Sequence, residues 1–309
     1  MHKKKVLILE KIHESGINVL RKKFTVIKKF GMSKKKQLSL IKNFQIVVVK
    51  SAVIIDKEFI NHAKKLRIVA RAGTGLDNID INYCKSRRIK VISTPGLNSD
   101  AAADFTVMQI LCMVRNAYKA QKMVQNNDFR RDLLLGRDMR NLNIGIVGFG
   151  NVGKKVAKRL KAFGSKIYVF EKRKINKRYK KIRSLNKLIK ISNVLTFHVP
   201  LNQGTSKMIK EKQIRKMKKN TLIINTSRAQ IIDSKAILKY RKKIIYVTDL
   251  LDKEPPLDTK PSANKYSNKL LKKDNIIVTP HMAASTLDSQ EKISTFLSQR
   301  IINFFQRCH

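Results

Sequence analysis

Residues 143–153 read N-I-G-I-V-G-F-G-N-V-G, and this stretch restricts the fold more than any other. Ile144, Ile146 and Val147 form a short apolar run of strand length. Gly148, Gly150 and Gly153 follow as G-x-G-x-x-G, and Val152 to Phe163 continues with apolar residues at helical spacing. In such a strand–turn–helix unit each glycine has a physical reason. Gly148 permits the tight turn, Gly150 lets a pyrophosphate reach the backbone, and Gly153 lets the helix pack close to the strand. The helix's unpaired N–H groups and positive dipole end then face the phosphates. A second apolar run, Lys166 to Phe170, ends at Glu171, eighteen positions after Gly153. An acid at that distance is placed to bind the adenosine ribose hydroxyls of NAD.

The rest of the chain repeats the alternation of short apolar runs and longer segments. Runs at 6–9, 46–49, 67–70 and 89–93 precede the glycine turn. Runs at 143–147, 166–170, 193–197, 221–225, 244–248 and 276–278 make a second series. The segments between them are long enough for crossover helices, so both series predict parallel sheets. Asp100 to Val124 carries apolar residues at helical spacing and predicts one long helix between the two series. Thr286 to Phe305 is amphipathic and is expected to return to the first domain. The expected architecture is α/β: two doubly wound parallel-sheet domains, with a Rossmann cofactor domain (97–284) inserted in a flavodoxin-like substrate domain (1–96 plus 285–309).

Lys and Arg number 68 against 21 Asp and Glu, a formal charge of +47. The cations run along the whole chain, without an arm or tail and without the interleaved aromatics of a base-stacking surface. Abundant Lys, Ile and Asn with no Trp fit drift in an A/T-rich coding sequence, so no specific nucleic-acid partner is expected. Polyanions are attracted only through phosphate neutralisation. No apolar run approaches the roughly 18 residues of a membrane span. Cys84, Cys112 and Cys308 are scattered, which argues against disulfides or a metal cluster and for a reducing, cytoplasmic setting.

Three polar residues follow separate strands of the second series. Arg228 follows 221–225 in N-T-S-R-A, Glu254 follows 244–248 in D-L-L-D-K-E-P-P, and His281 follows 276–278 in T-P-H-M-A-A-S-T. Loops at the carboxyl ends of parallel strands line the ligand crevice. Arginine's forked cation can clamp a carboxylate and polarise the adjoining carbonyl. Histidine titrates near neutrality, as a group that exchanges a hydroxyl proton must. Glu254 can hold His281 in one tautomer. Together the three match hydride exchange between a nicotinamide and a hydroxy acid.

With these motifs the chain resembles the D-2-hydroxyacid dehydrogenase family. The matching stretches are A-R-A-G-T-G-L-D-N-I-D (70–80), G-I-V-G-F-G-N-V-G (145–153), H-V-P-L (198–201), N-T-S-R-A-Q-I-I-D (225–233), T-D-L-L-D-K-E-P-P (248–256) and T-P-H-M-A-A-S-T (279–286). The resemblance implies Arg228, Glu254 and His281 as the catalytic set. It implies NAD contacts from Thr74, Gly148, Gly150, Asn151, Val152, Gly153, Glu171, His198, Val199, Pro200, Thr226, Ser227, Arg228, Asp249, His281, Ala283 and Ala284. It also implies substrate contacts from Lys50, Ser51, Arg71, Ala72, Gly73, Arg228 and His281, and no metal.

Within the family the likeness is strongest to the short phosphoglycerate-oxidising branch without a C-terminal regulatory domain. That branch places an Arg where Lys50 stands, so Lys50 and Arg71 are the expected ligands of a substrate phosphate. The expected reaction is oxidation of 3-phospho-D-glycerate to 3-phosphooxypyruvate, the opening step of serine synthesis, by a cytoplasmic homodimer. The alternatives are reduction of glyoxylate, hydroxypyruvate or another 2-oxo acid and, from another class, a non-catalytic NAD-sensing or nucleic-acid-associated protein that keeps the fold. The departures are Glu171 for the usual Asp, Ala229 and Gln230 and Ala283 and Ala284 at common glycine positions, and Asp104 for Glu. Lys172, Arg173 and Lys174 after Glu171 leave NADP open.

Overall fold

The computed structural model describes residues 3–255 and 266–307. Pro256, which ends the 248–256 motif, and Cys308 lie outside the described residues. The chain divides into two compact units, Met1–Asn98 with Ser285–His309, and Ser99–Ala284.

In the first unit, β1 (Lys5–Ile8), β2 (Thr25–Lys28), β3 (Ile46–Val49), β4 (Ile68–Arg71) and β5 (Lys90–Ile92) form one sheet. Its order is β2-β1-β3-β4-β5 and every pair is parallel, the flavodoxin-like arrangement. Between the strands run α1 (Glu14–Arg21), α2 (Lys34–Ile41), α3 (Lys57–His62) and α4 (Ile81–Ser86). The central strand I-V-V-V is buried at every position because helices cover both sheet faces. Side-chain alternation divides the core. Val6, Ile8, Ile46, Val48 and Ile68 pack with residues of α1 and of the returning helix α11 (Leu287–Gln306). Leu7, Val47, Val49 and Val69 pack on the other face with Ile41, Phe59 and Cys84. A Cβ on Gly16 would stand 2.1 Å from Ser294 Oγ, so only glycine lets α11 lie this close to α1.

In the second unit, β6 (Asn143–Val147), β7 (Lys166–Phe170), β8 (Lys180–Lys181), β9 (Val194–Phe197), β10 (Thr221–Asn225), β11 (Ile244–Thr248) and β12 (Ile276–Val278) form an all-parallel sheet. Its order is β12-β11-β10-β9-β6-β7-β8. Strand order reverses beside β6, the switch point at which such sheets hold ligands. The helices are α5 (Ser99–Val114), α6 (Ala117–Gln125), α7 (Asn151–Ala162), α8 (Leu185–Ile191), α9 (Glu211–Arg215) and α10 (Ser234–Tyr240).

Two expectations change. The single helix over 100–124 is two helices, broken at Asn116, whose backbone is left-handed (φ 54°). Asparagine tolerates that conformation better than most residues, and its Nδ2 donates to the carbonyls of Leu134 and Leu135 at 3.2 and 3.1 Å. The added strands β2 and β8 are sheet edges, the first with a lysine at one end and the second made of two lysines, too polar to stand out as apolar runs. No helix among the described residues is long and apolar enough to cross a membrane.

Candidate active site

The glycine turn leaves the carboxyl end of β6. Gly148 has φ +91°, a conformation L side chains rarely adopt, and a Cβ there would lie 2.8 Å from the His198 backbone. A Cβ on Gly153 would stand 2.2 Å from Gly148 O, so the third glycine is fixed by helix–strand packing. Gly150 differs. A Cβ there would meet nothing within 4 Å, and Gly150 caps α7 without a side-chain hydrogen bond. The first turn of a twelve-residue helix therefore opens on free space, with Asn151 exposed and Val152 half-buried beside it.

Glu171 follows β7 and reaches back to this turn. Its Oε2 accepts from Phe149 N at 2.9 Å and its Oε1 from Arg173 N at 3.1 Å. Burial opposes its ionisation, but the backbone donors of Phe149, Arg173 and Lys172 and the Arg173 charge outweigh burial and hold the carboxyl below its usual range. Lys172, Arg173 and Lys174 are exposed.

His198 follows β9 and shares a hydrogen bond with Thr196 Oγ1 at 3.0 Å. Desolvation pushes its imidazole down to about 3, so the ring is neutral at physiological pH although part of the residue touches solvent. Val199 O accepts from Ser227 Oγ, and Pro200 O accepts from Thr205 Oγ1 at 2.6 Å. The β9 loop is thereby tied to the β10 loop.

Arg228, Glu254 and His281 stand beyond the carboxyl ends of β10, β11 and β12, three neighbouring strands. Asn225, fully buried at the end of β10, shapes the first loop: its Oδ1 accepts from Ser227 N at 3.1 Å and its Nδ2 donates to Arg228 O at 2.9 Å. Thr226 Oγ1 shares a hydrogen bond with Thr106 Oγ1 at 2.9 Å. The half-buried Arg228 side chain donates to Ser227 O at 2.7 Å. His281 Nδ1 donates to Glu254 Oε2 at 2.8 Å, and Glu254 Oε1 accepts from Leu251 N at 3.3 Å.

His281 has φ 54°, a strained state for a histidine. Asp249 holds it there. Its carboxylate is 1% exposed and accepts from Thr279 Oγ1 at 2.6 Å, Met282 N at 3.0 Å and Ala283 N at 2.7 Å. Ala283 is buried and Ala284 half-buried at the end of this turn.

In the first unit, Lys50 directly follows Val49, whose register partner on the next strand is Arg71. Ser51 and Arg71 are half-buried, and Ala72 and Gly73 are buried. Ala72 N donates to Val49 O at 2.9 Å and Arg71 Nη1 to Ala72 O at 3.1 Å. Thr74 Oγ1 donates to Asn98 Oδ1 at 3.0 Å.

A family model described as D-isomer specific 2-hydroxyacid dehydrogenase, NAD binding domain, matches residues 107–283. The chain belongs to that family. The D-3-phosphoglycerate dehydrogenase of Archaeoglobus fulgidus is 33% identical over 307 residues, covering 97% of this chain and 57% of that protein. The chain thus spans little more than half the length of that relative. The hydroxypyruvate reductase of Thermotoga maritima is 33% identical over 276 residues, 87% of this chain and 88% of that protein. Among solved structures, the Aquifex aeolicus D-lactate dehydrogenase complexed with NAD and lactic acid matches with a TM-score of 0.88 at 26% identity, over 97% of this chain and 95% of that one.

The dinucleotide of this family's domain is NAD, and the second unit fits it. The open space over Gly150 and the uncapped first turn of α7 suit a pyrophosphate, and Glu171 ends the strand beside them. Sequence motifs did not mark Asn225 as the template of the Arg228 loop. Its one signal was a polar residue closing an apolar strand, T-L-I-I-N. Nor did they mark Glu10, which follows the first apolar run and organises the loop that carries Lys50.

Proposed function

We propose that this chain oxidises 3-phospho-D-glycerate to 3-phosphooxypyruvate with NAD. The nicotinamide, when bound, supplies the hydride acceptor. Arg228 binds the substrate carboxylate and polarises the reacting carbon's oxygen. With its Nδ1 engaged by Glu254, His281 presents Nε2 to the hydroxyl and takes its proton. Glu254 fixes the tautomer and the ring orientation. Within the second unit, the glycine turn, Glu171 and the 198–200 and 226–228 loops hold the dinucleotide.

The observation that carries the phosphorylated substrate is the pair of cations on adjacent strands, Lys50 after Val49 and Arg71 opposite it. A second reading, reduction of hydroxypyruvate or glyoxylate, is favoured by the Thermotoga hydroxypyruvate reductase, which this chain matches over nearly that protein's whole length.

Measuring kcat/KM for 3-phospho-D-glycerate against D-glycerate and D-lactate with NAD separates the two readings. A phosphate held by Lys50 gives a preference for the phosphorylated acid of about tenfold or more, the scale of one charged contact of ~1.4 kcal/mol, and Lys50→Glu abolishes that preference. Equal harm to all three acids from Lys50→Glu makes Lys50 an ordinary surface lysine and favours the unphosphorylated substrate.

A further inference from the structure

Glu10 lies two residues beyond β1, and its carboxylate is filled by one loop. Oε2 accepts from Lys50 N at 2.6 Å and from Val53 N at 3.2 Å, while Oε1 accepts from Ala52 N at 3.0 Å. Three backbone N–H groups of a four-residue loop thus converge on one carboxylate. Such a concavity is an anion-binding nest, here occupied by the chain's own side chain. The carbonyl side of the loop is held as well. Asn78 Nδ2 donates to Lys50 O at 3.0 Å and to Val53 O at 2.6 Å. The loop's exit is pinned where Ile55 N donates to Asn78 O at 2.8 Å and Asp80 N to Ile55 O at 2.9 Å.

We propose that Glu10 is a specificity-determining positioning residue: by occupying the backbone nest of residues 50–53, it makes that loop meet an anionic substrate through the Lys50 and Ser51 side chains instead of through backbone N–H groups. The inference rests on the function proposed above, because it takes the 50–53 loop as a substrate loop. Backbone donors bind any small anion, whereas a side chain such as Lys50 reaches to a set distance. Filling the nest therefore converts a general anion site into one that reads where on the substrate the second negative charge lies. Charge-assisted hydrogen bonds to a carboxylate are also short and directional, so the loop is formed before substrate arrives and its ordering is not drawn from binding energy.

The test uses the full chain carrying Glu10→Gln, Glu10→Ala or Glu10→Asp. Hydrogen–deuterium exchange of peptides spanning 50–53 is measured, with KM, kcat and NADH affinity by fluorescence titration. Glu10→Gln keeps the side-chain volume but turns an amide NH₂ toward backbone donors, so it reports on the nest even if Glu10→Ala does not fold. The expected result for Glu10→Gln is amide exchange at 50–53 faster by about tenfold and acid KM raised by about tenfold, the consequence of losing charge-assisted bonds. NADH affinity and kcat stay within about twofold, and Glu10→Asp recovers part of the loss. Unchanged exchange, or a parallel loss of NADH affinity, overturns the proposal and leaves Glu10 a structural cap. If the wild type shows no preference for a phosphorylated acid, the substrate reading fails, while the exchange and KM readouts on an unphosphorylated acid still decide the role of Glu10.

Discussion

His281 Nδ1 and Glu254 Oε2 lie 2.8 Å apart, on loops that follow neighbouring strands. Both side chains are mostly buried, 34% and 25% exposed, so the pair is shielded from competing water without being closed to a ligand. A carboxylate can only accept, which places the proton of a neutral His281 on Nδ1 and leaves Nε2 as the proton-accepting atom. His281→Ala is expected to lower kcat by roughly 10²–10⁴, the size of a general acid–base contribution, with NADH affinity nearly unchanged. Glu254→Gln is expected to lower kcat by about tenfold or more, one charged contact of ~1.4 kcal/mol. Steady-state kinetics beside NADH titration checks both, and wild-type turnover by His281→Ala at neutral pH removes the assigned base.

Glu171 sets a second expectation. Its carboxylate is held ionised by the Phe149 and Arg173 amides at the mouth of the glycine turn. A 2′-phosphate on the adenosine ribose would meet that negative charge. NAD is therefore expected over NADP by about tenfold or more in kcat/KM, again the scale of ~1.4 kcal/mol. Glu171→Gln should narrow the gap, because Lys172, Arg173 and Lys174 remain exposed beside it. Equal kcat/KM for the two dinucleotides in the wild type means that the three cations decide instead.

His198 links the cofactor loop to the pH dependence of stability. Desolvation depresses its imidazole from the ordinary 6.5 to about 3. As pH falls below about 6.5, the unfolded chain binds a proton there that the folded chain refuses. Stability is then lost by up to ~1.4 kcal/mol per pH unit until the folded histidine protonates near pH 3, and is flat above pH 7. Urea midpoints between pH 7 and pH 4.5 should fall by the equivalent of about 2 kcal/mol. His198→Asn should flatten that slope. An equally steep slope in the variant assigns the loss to other groups.

The parts of the fold that local pattern controls were legible in the sequence. Central parallel strands such as I-V-V-V at 46–49 are apolar throughout because helices cover both sheet faces. The glycine spacing marks the turn because backbone sterics allow nothing else at Gly148 and Gly153. The placement of Arg228, Glu254 and His281 beyond three neighbouring parallel strands was legible because each follows an apolar run, although β12 before His281 is a short edge strand. What stayed hidden was carried by single polar contacts. Asn116 breaks a helix whose apolar spacing continues across it, since periodicity does not register a left-handed asparagine. Glu10 reaches a loop some 40 positions away, a distance at which no local pattern exists. Asp249 reads in the motif as a cofactor contact, and the motif does not show that its carboxylate also accepts three hydrogen bonds from the 279–283 turn that sets His281.

The two glycines at the start of α7 offer a test that separates folding from cofactor binding. They lie three residues apart in one motif, yet their surroundings differ. At Gly153 a Cβ would lie 2.2 Å from a backbone oxygen, which no rotamer change relieves. At Gly150 a Cβ meets no atom within 4 Å, and φ there is −77°, which alanine adopts without strain. Gly153→Ala is therefore expected to destabilise the fold by about 1–3 kcal/mol, the usual result of overpacking. Its cofactor affinity falls as a consequence. Gly150→Ala is expected to lower stability by only about 1 kcal/mol or less, the loss of a tolerated N-cap residue. Its NADH affinity should drop by at least tenfold, because the methyl group takes the space assigned to the pyrophosphate. Thermal unfolding with and without NADH distinguishes the two. Gly153→Ala starts from a lower Tm and regains part of it on adding NADH, whereas Gly150→Ala starts near the wild-type Tm and gains little. A Gly150→Ala variant that binds NADH as tightly as the wild type would place the dinucleotide elsewhere in the second unit.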